Sequence, residues 1–167
     1  MSPRAAWRLE SLDFPQVYDY AAGEADWLAH GLPSEGRDAD TPRAGQIVRR
    51  DIPTCSLQER LGEIRDRAEA VGWDECLVVN ERRVVFGRLR GAALEAPAAA
   101  IAEAVMEPGP TTIRPDESLA TLVPRLRDRY VDRVIVTTPD GRLVGIVERE
   151  TAERVHNERE GKEHNHD

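Results

Sequence analysis

Val134-Ile-Val-Thr-Thr-Pro-Asp-Gly-Arg-Leu-Val-Gly-Ile-Val147 is the stretch that decides the fold. It contains two apolar runs, residues 134–136 and 143–147, on either side of the turn sequence Pro139-Asp140-Gly141. Apolar runs separated by a short Asp-Gly turn predict a β-hairpin.

The same pattern occurs 58 residues earlier in the chain, and we call the earlier occurrence the first copy and the one above the second copy. Seven residues recur at this offset without a gap: Thr54/Thr112, Glu59/Glu117, Leu61/Leu119, Arg67/Arg125, Asp74/Asp132, Val78/Val136 and Gly87/Gly145. An ungapped repeat of this length indicates one supersecondary unit used twice. Two such units packed together create a pseudo-two-fold seam, and we expect any ligand-linked function to lie there.

Each copy has the pattern strand, helix, strand, strand, helix. The apolar runs of the first copy, residues 76–79 and 84–86, are continuous, which predicts strands covered on both faces. In the second copy, Pro124 lies inside the predicted helix and should kink or shorten it. The predicted fold class is therefore mixed α/β (α+β), with two β-α-β-β-α units packed as a pseudo-two-fold pair and a short α/β extension at the N-terminus.

The composition divides the chain into five parts. We expect an N-terminal segment at 1–33, a polar, turn-rich linker at 34–42, repeat units at 43–95 and 96–156, and a disordered tail at 157–167. The N-terminal segment is predicted to form helix, strand and helix. It is too small for a core of its own, so its aromatic side chains need cover from the repeat module or from a second copy of the chain.

Charge and hydropathy limit the partners and the compartment. The formal net charge is −8, which argues against nucleic acid or an anionic membrane as a partner. The apolar runs are too short to span a membrane, and the start of the chain does not resemble a signal peptide. We therefore expect a cytoplasmic location.

The residues predict neither a catalytic nor a metal site. Cys55 and Cys76 lie in apolar stretches with no His between them, so we interpret them as buried hydrophobic residues rather than a catalytic thiolate. His164 and His166 lie in a polar tail without preorganised geometry. A glycine-rich phosphate loop and a plausible Ser-His-Asp arrangement are both absent from the sequence.

The two copies resemble the CBS domain, the motif named after cystathionine beta-synthase. The second copy carries the resemblance most clearly, in Ile101-Ala-Glu-Ala-Val-Met106, Thr112-Ile-Arg-Pro-Asp-Glu-Ser-Leu119 and Asp140-Gly-Arg-Leu-Val-Gly-Ile-Val147. The resemblance covers about residues 43–156. It implies a pair of units called a Bateman module, which often forms a homodimer. It also implies a non-catalytic regulatory role that requires no cofactor and uses a regulatory ligand such as AMP, ATP or S-adenosylmethionine, bound in the clefts between the units.

The chain departs from the family's ribose and phosphate signature, which is Gly, two residues, Ser or Thr, two residues, Asp. Arg90 and Ala93 replace the last two signature residues in the first copy, and Glu148 and Thr151 replace them in the second. Losing the charge-assisted bond to ribose costs about 1.5–3 kcal/mol, and Glu148 would repel a phosphate. The candidate ligand-binding residues are Thr54, Arg88, Arg90, Thr112, Glu148 and Thr151. Alternatively, Arg88 and Arg90 are solvated or paired with neighbouring carboxylates.

A second resemblance concerns the N-terminal segment. Ser2-Pro-Arg-Ala-Ala-Trp-Arg-Leu-Glu-Ser-Leu-Asp-Phe14, Val17-Tyr-Asp-Tyr20 and Ala25-Asp-Trp-Leu-Ala-His-Gly-Leu-Pro33 are similar to the last third of a rhodanese domain. That family transfers sulfur through a cysteine, and the first cysteine here is Cys55. Three hypotheses remain: a ligand-sensing pair of units, a structural or dimerisation module that has lost its ligand, and, with least support, a sulfurtransferase fragment.

Overall fold

A computed structural model of the chain describes residues 3–18, 23, 26, 27, 32, 33 and 41–163. Within these residues it has seven strands and six α-helices. The strands are β1 (Thr54–Cys55), β2 (Glu75–Val79), β3 (Val85–Arg90), β4 (Glu107–Pro108), β5 (Thr112–Ile113), β6 (Arg133–Thr137) and β7 (Leu143–Glu148). The helices are α1 (Pro3–Glu10), α2 (Leu61–Ala70), α3 (Ala92–Glu95), α4 (Ala102–Val105), α5 (Leu119–Asp128) and α6 (Arg149–Glu163).

The repeat extends to the bounds of the elements. Strands β5, β6 and β7 and helix α5 begin and end 58 residues after β1, β2, β3 and α2. The strand pairing repeats as well, because β1 is parallel and β3 antiparallel to β2, as β5 and β7 are to β6. Each hairpin has an irregularity at the same place, between Val78 and Val79 and between Val136 and Thr137. The predicted mixed α/β pair of units is confirmed.

Helix α5 shows that Pro124 does not shorten its helix, so of the two predicted effects, a kink or a shortening, the shortening is wrong. Helices α2 and α5 are both 10 residues long, although only α5 contains a proline. Pro124 and Ala120, whose carbonyl loses its intrahelical partner, are both exposed, so water can satisfy that carbonyl. The helix also has a side-chain cap, because the Ser118 hydroxyl accepts a hydrogen bond from the Thr121 amide.

The segment that leads into each copy packs on the sheet of the other copy. The first sheet has the order β1-β2-β3-β4, and its edge strand β4 comes from the chain leading into the second copy. In the same way, Arg49 forms a bridge with Ile146 of the second sheet, whose order is β5-β6-β7. The anchoring bonds repeat too: the Ala44 amide donates to the Glu117 carbonyl at 2.8 Å, and the Ala102 amide to the Glu59 carbonyl at 3.0 Å.

The recurring glycines admit these crossing segments. A Cβ atom on Gly145 would lie 2.3 Å from the Arg49 carbonyl oxygen, and one on Gly87 would lie 2.3 Å from the Met106 sulfur. Both glycines are needed for close approach rather than for an unusual backbone conformation.

Three apolar clusters form the core. One lies beneath each sheet, and the third joins the two copies at the seam. The seam cluster contains Ile52, Ala68, Trp73, Leu77, Val79, Ile135, Leu143 and Ile146. Leu77 and Ile135 occupy equivalent positions and are both at most 1% exposed, so the pseudo-two-fold axis passes through a dry core.

The two ends of the chain differ from the sequence predictions. Helix α6 continues to Glu163, so residues 157–163 are helical and the prediction of a disordered tail is wrong for them; their charged side chains are compatible with a solvated helix. At the other end, helix α1 forms as predicted, whereas residues 16–18 form no strand and have no partner strand among the described residues. Trp7 and Tyr18 are 69% and 77% exposed, so the repeat module does not cover them. Most of the predicted second helix, near residues 25–29, and most of the linker at 34–42 lie outside the described residues.

We predict that Gly145→Ala is more destabilising than Gly87→Ala. The new methyl group at 145 meets a backbone carbonyl that cannot move alone, whereas at 87 it meets a flexible methionine side chain. Urea denaturation should show a loss of about 3 kcal/mol for Gly145→Ala and about 1 kcal/mol for Gly87→Ala. Equal losses would contradict the proposed role of the Arg49 backbone.

Candidate functional site: two unequal clefts at the seam

Equivalent residues of the two copies meet at the pseudo-two-fold axis. Val84 forms a bridge with Arg142, which is its own counterpart 58 residues later. Glu75 and its counterpart Arg133 lie 3.7 Å apart as an ion pair. The axis therefore leaves two related clefts, one on each side of the Glu75–Arg133 pair.

One of these clefts is open. Its volume is about 1340 Å³, and both copies line it. Strand β3 contributes Arg88 and Arg90, the chain around β5 contributes Thr112 and Arg114, and the end of α5 contributes Arg129. Three sequence-predicted residues, Arg88, Arg90 and Thr112, are thus brought together in one place, here called the open cleft.

The equivalent space on the other side of the axis contains the Trp73 side chain. Trp73 is 5% exposed, and the Arg49 guanidinium lies 4.4 Å from the centre of its ring. The Arg133 guanidinium lies 5.4 Å from the same ring, and the indole nitrogen donates to the Asp51 carboxylate at 3.3 Å. We call this space the filled cleft, because a stacked aromatic and two cations occupy it.

Three differences between the copies explain why the clefts are unequal. Val131 takes the place of Trp73, Glu107 that of Arg49, and Gly109 that of Asp51. All three replacements line the open cleft. The open cleft therefore lacks both the large ring and the groups that hold it.

The two predicted arginines of the open cleft have different surroundings. The Arg88 Nε donates at 2.7 Å to Glu75, which is 1% exposed, so this ion pair is buried. The Arg90 Nε lies 3.2 Å from Glu107, and both of these side chains are about half exposed, at 51% and 52%. Breaking a buried ion pair leaves an unpaired charge in the interior, which is costly, whereas an exposed ion pair contributes at most about 1 kcal/mol to the stability of the fold. Arg90 can exchange its partner for a ligand, and Arg88 is held in place.

Two further arginines in the open cleft have no carboxylate partner among the described residues. Arg114 donates only to oxygens of Thr137 and Thr138, the Thr138 carbonyl at 2.8 Å, and Arg129 makes no side-chain hydrogen bond or ion pair within the described chain. Both are exposed at the surface of the cleft. Sequence reasoning missed them because arginines at the ends of a strand and a helix are common on any surface.

The other predicted ligand-binding residues do not line the open cleft. Thr54 is the counterpart of Thr112, and its carbonyl accepts a hydrogen bond from Arg67. Glu148 pairs with Arg49 at 2.8 Å beside the filled cleft, and Thr151 lies in the first turn of α6. Ligand binding by these six residues stays a prediction.

The ion pairs near the axis shift two carboxyl groups in the same direction. A hydrogen bond from Arg133 lowers the pKa of Asp74, and a hydrogen bond from Arg49 lowers the pKa of Asp51. Both carboxylates are therefore stabilised in their charged form.

The structure places the cysteines as buried residues. Both are at most 4% exposed, and the contact with Cys55, together with burial, raises the pKa of the Cys76 thiol far above its ordinary value. No group of three or more metal-ligating side chains occurs in the described part of the chain. Among the described helices, none is long and apolar enough to cross a membrane.

Comparison with known proteins identifies the class of the fold. Residues 101–152, which belong to the second copy, match the family model of the CBS domain. No curated protein sequence matches the chain. The comparisons give no support to the rhodanese resemblance of residues 1–33, which stays a prediction.

Solved structures extend the likeness to the pair. The cytosolic domain of the Mg²⁺ channel MgtE in complex with ATP has a TM-score of 0.62 and 21% identity, over 68% of this chain and 48% of that chain. The protein described here therefore spans about half the length of that domain. A putative acetoin utilization protein (AcuB) from Vibrio cholerae has a TM-score of 0.62 and 17% identity, over 74% of this chain and 97% of that chain. The CBS domain pair of protein MJ0100, in complex with 5′-methylthioadenosine and S-adenosylmethionine, has a TM-score of 0.58 and 17% identity, over 71% and 98%. The fold is that of a CBS-domain pair.

We predict that Glu75→Gln is strongly destabilising. It removes the charge that Arg88 and Arg133 face in a buried setting, and breaking such a pair costs about 3–5 kcal/mol. The matched control is Glu107→Gln, which breaks the exposed pair with Arg90 and should cost about 1 kcal/mol or less. Urea denaturation of both variants tests the difference, and similar losses would refute the buried pair.

Acid should weaken the seam through Asp51 and Asp74. Because folding lowers both pKa values, their contribution to stability is present above the ordinary carboxyl pKa of about 3.9 and is lost as the pH falls through the folded values. The urea midpoint of the wild type should therefore fall as the pH drops below about 4. Asp74→Asn should reduce this slope, and an unchanged slope would argue against the Asp74–Arg133 pair.

Proposed function

We propose that the protein is a non-catalytic regulatory module that binds an adenosine nucleotide or another small anionic ligand in the open cleft. The observation that carries this proposal is the pair of arginines there, Arg114 and Arg129, that have no carboxylate partner among the described residues. Arginine is well suited to binding phosphate, because its planar fork of donors matches two phosphate oxygens.

The open cleft is large enough to hold a nucleotide. Pockets for small ligands usually measure about 300–1,000 Å³, and this one is larger, at about 1340 Å³. Arg90 adds a third cation that can leave its exposed partner Glu107, while the Thr112 hydroxyl offers a neutral donor or acceptor. Similar folds support the ligand class, since their solved forms hold ATP, 5′-methylthioadenosine and S-adenosylmethionine.

The open cleft is less well suited to the ribose of a nucleotide than to its phosphates. Ala93 has no carboxylate to offer the ribose hydroxyls of a ligand next to Arg90. The cations of the open cleft therefore favour the anionic end of a ligand over its sugar, and inorganic phosphates belong among the test compounds.

The placement of the open cleft suggests how a ligand would act. Residues of both sheets line it, and β4, which belongs to the segment crossing between the copies, forms part of its wall. A ligand that contacts both copies stabilises the arrangement in which they lie at this distance. Ligand binding would thereby fix the relative arrangement of the two copies, and a partner protein or domain could bind one arrangement in preference to another. We further propose a homodimer in the cytoplasm.

The main alternative is a structural or dimerisation module that has lost its ligand. The buried Arg88–Glu75 pair favours it, because this arginine already has a partner. The side chains of Trp73 and Arg49 in the filled cleft favour it as well, because they leave less room for a ligand there. A sulfurtransferase is disfavoured, since both cysteines are buried and the pKa of Cys76 is raised.

Isothermal titration with ATP, AMP, S-adenosylmethionine and tripolyphosphate tests the proposal. We predict one bound ligand per chain, because among the described residues only one of the two clefts beside the Glu75–Arg133 pair is open. Arg114→Ala and Arg129→Ala should each weaken binding about tenfold, the effect of losing one charge-assisted hydrogen bond of about 1.5 kcal/mol.

Arg154→Ala is the control. Arg154 is a similarly exposed arginine on α6 whose partner is Glu158, and it does not line the open cleft. Its loss should leave affinity unchanged. Flat titrations for all ligands at millimolar concentration would instead support the structural module.

A further inference from the structure

Tyr130 has a backbone conformation that tyrosine rarely adopts. Its φ is 52°, in the left-handed region that favours glycine. The reason is the end of helix α5, where the Tyr130 amide bonds to the Arg127 carbonyl and the Val131 amide to the Leu126 carbonyl. These two bonds form a Schellman turn, whose left-handed residue is usually glycine. The first copy follows that rule, because the counterpart of Tyr130 is Gly72 with φ 73°.

The Tyr130 side chain gains no compensating polar or ring contact from the described residues. It is 87% exposed, and within the described chain it makes no side-chain hydrogen bond, ring contact or ion pair. A strained backbone together with an exposed aromatic ring is unfavourable for an isolated chain. Tyr130 nevertheless lines the open cleft, as do its chain neighbour Arg129 and the cations Arg114 and Arg90.

The filled cleft shows what an aromatic side chain at this turn can bind. Trp73, one residue beyond Gly72, carries the planar Arg49 guanidinium 4.4 Å from its ring centre. At the equivalent places the open cleft has Val131 and Glu107, so the described chain supplies no planar group at these two positions to cover an aromatic ring. Each copy thus has one aromatic residue in the turn after its helix, but within the described part of the chain only Trp73 in the filled cleft has a guanidinium over its ring.

We propose that Tyr130 is a stacking residue that selects ligands with a planar ring next to their anionic group. The ring of the ligand covers Tyr130 as Arg49 covers Trp73, while Arg129 and Arg114 hold the anion. The inference rests on the proposed ligand binding in the open cleft. It narrows the ligand from any small anion to a nucleotide or another aryl anion.

The test compares ATP with tripolyphosphate, which has the phosphates without the ring, on the full chain. Tyr130→Gly gives this turn the residue of the first copy and relieves the left-handed strain, so the variant should fold with an equal or higher melting temperature. Its affinity for ATP should fall about 5-fold to 100-fold, the range for losing one base–aromatic stack, and its affinity for tripolyphosphate should change less than twofold. Tyr130→Phe keeps the ring and should retain ATP affinity.

Several outcomes would overturn the inference. If Tyr130→Gly weakens both ligands equally, Tyr130 shapes the cleft without stacking. If it weakens neither while the wild type binds both, anion binding is right and the stacking role is wrong. If wild type binds neither ligand, the proposed function fails and the stacking role with it. If the only change is a smaller mass in light scattering, Tyr130 contacts a second copy of the chain instead.

Discussion

The ion pair between Glu75 and Arg133 is the constraint around which the two copies are arranged. These residues are counterparts in the repeat, and they face each other at 3.7 Å across the pseudo-two-fold axis. In two identical copies the same charge would stand on both sides and repel itself. The axis therefore requires that this position differ between the copies, and the chain satisfies that requirement with charges of opposite sign.

The same reversal extends outward from the axis. Arg90 pairs with Glu107 on one side, and Glu148 pairs with Arg49 on the other. Glu148 is the counterpart of Arg90, and Arg49 is the counterpart of Glu107, so the two pairs are equivalent in position and inverted in charge. This inversion opposes pairing of a copy with another copy of itself, because like charges would then meet at each of these sites. It also distributes the arginines unevenly, which is why the two clefts have different contents.

Much of the fold could be predicted from the sequence because the signals for its strands, turns and helices come from residues close together in the chain. Apolar runs, the Pro-Asp-Gly turn and the helix periodicity are properties of neighbouring residues, and the 58-residue offset carries them from one copy to the other. The contents of the clefts could not be predicted in this way. Arg49 and Glu148 are 99 residues apart in sequence and meet at 2.8 Å only because each leading segment crosses to the other sheet. The helix over residues 157–163 could not be predicted for a different reason, because these residues are all polar, charged or glycine and give no apolar period.

A comparison of the two copies, rather than of either copy with a family signature, locates the residues that distinguish the clefts. The turn after the helix is Val71-Gly72-Trp73 in the first copy and Arg129-Tyr130-Val131 in the second. One copy keeps glycine where the backbone is left-handed and turns its aromatic inward against Arg49. The other places its aromatic on the left-handed residue and leaves it exposed beside Arg129, whose side chain has no partner among the described residues. The residues at the family's ribose position differ from the signature in both copies. We therefore expect the ligand proposed for the open cleft to depend on groups from this turn more than on the residues at the signature positions.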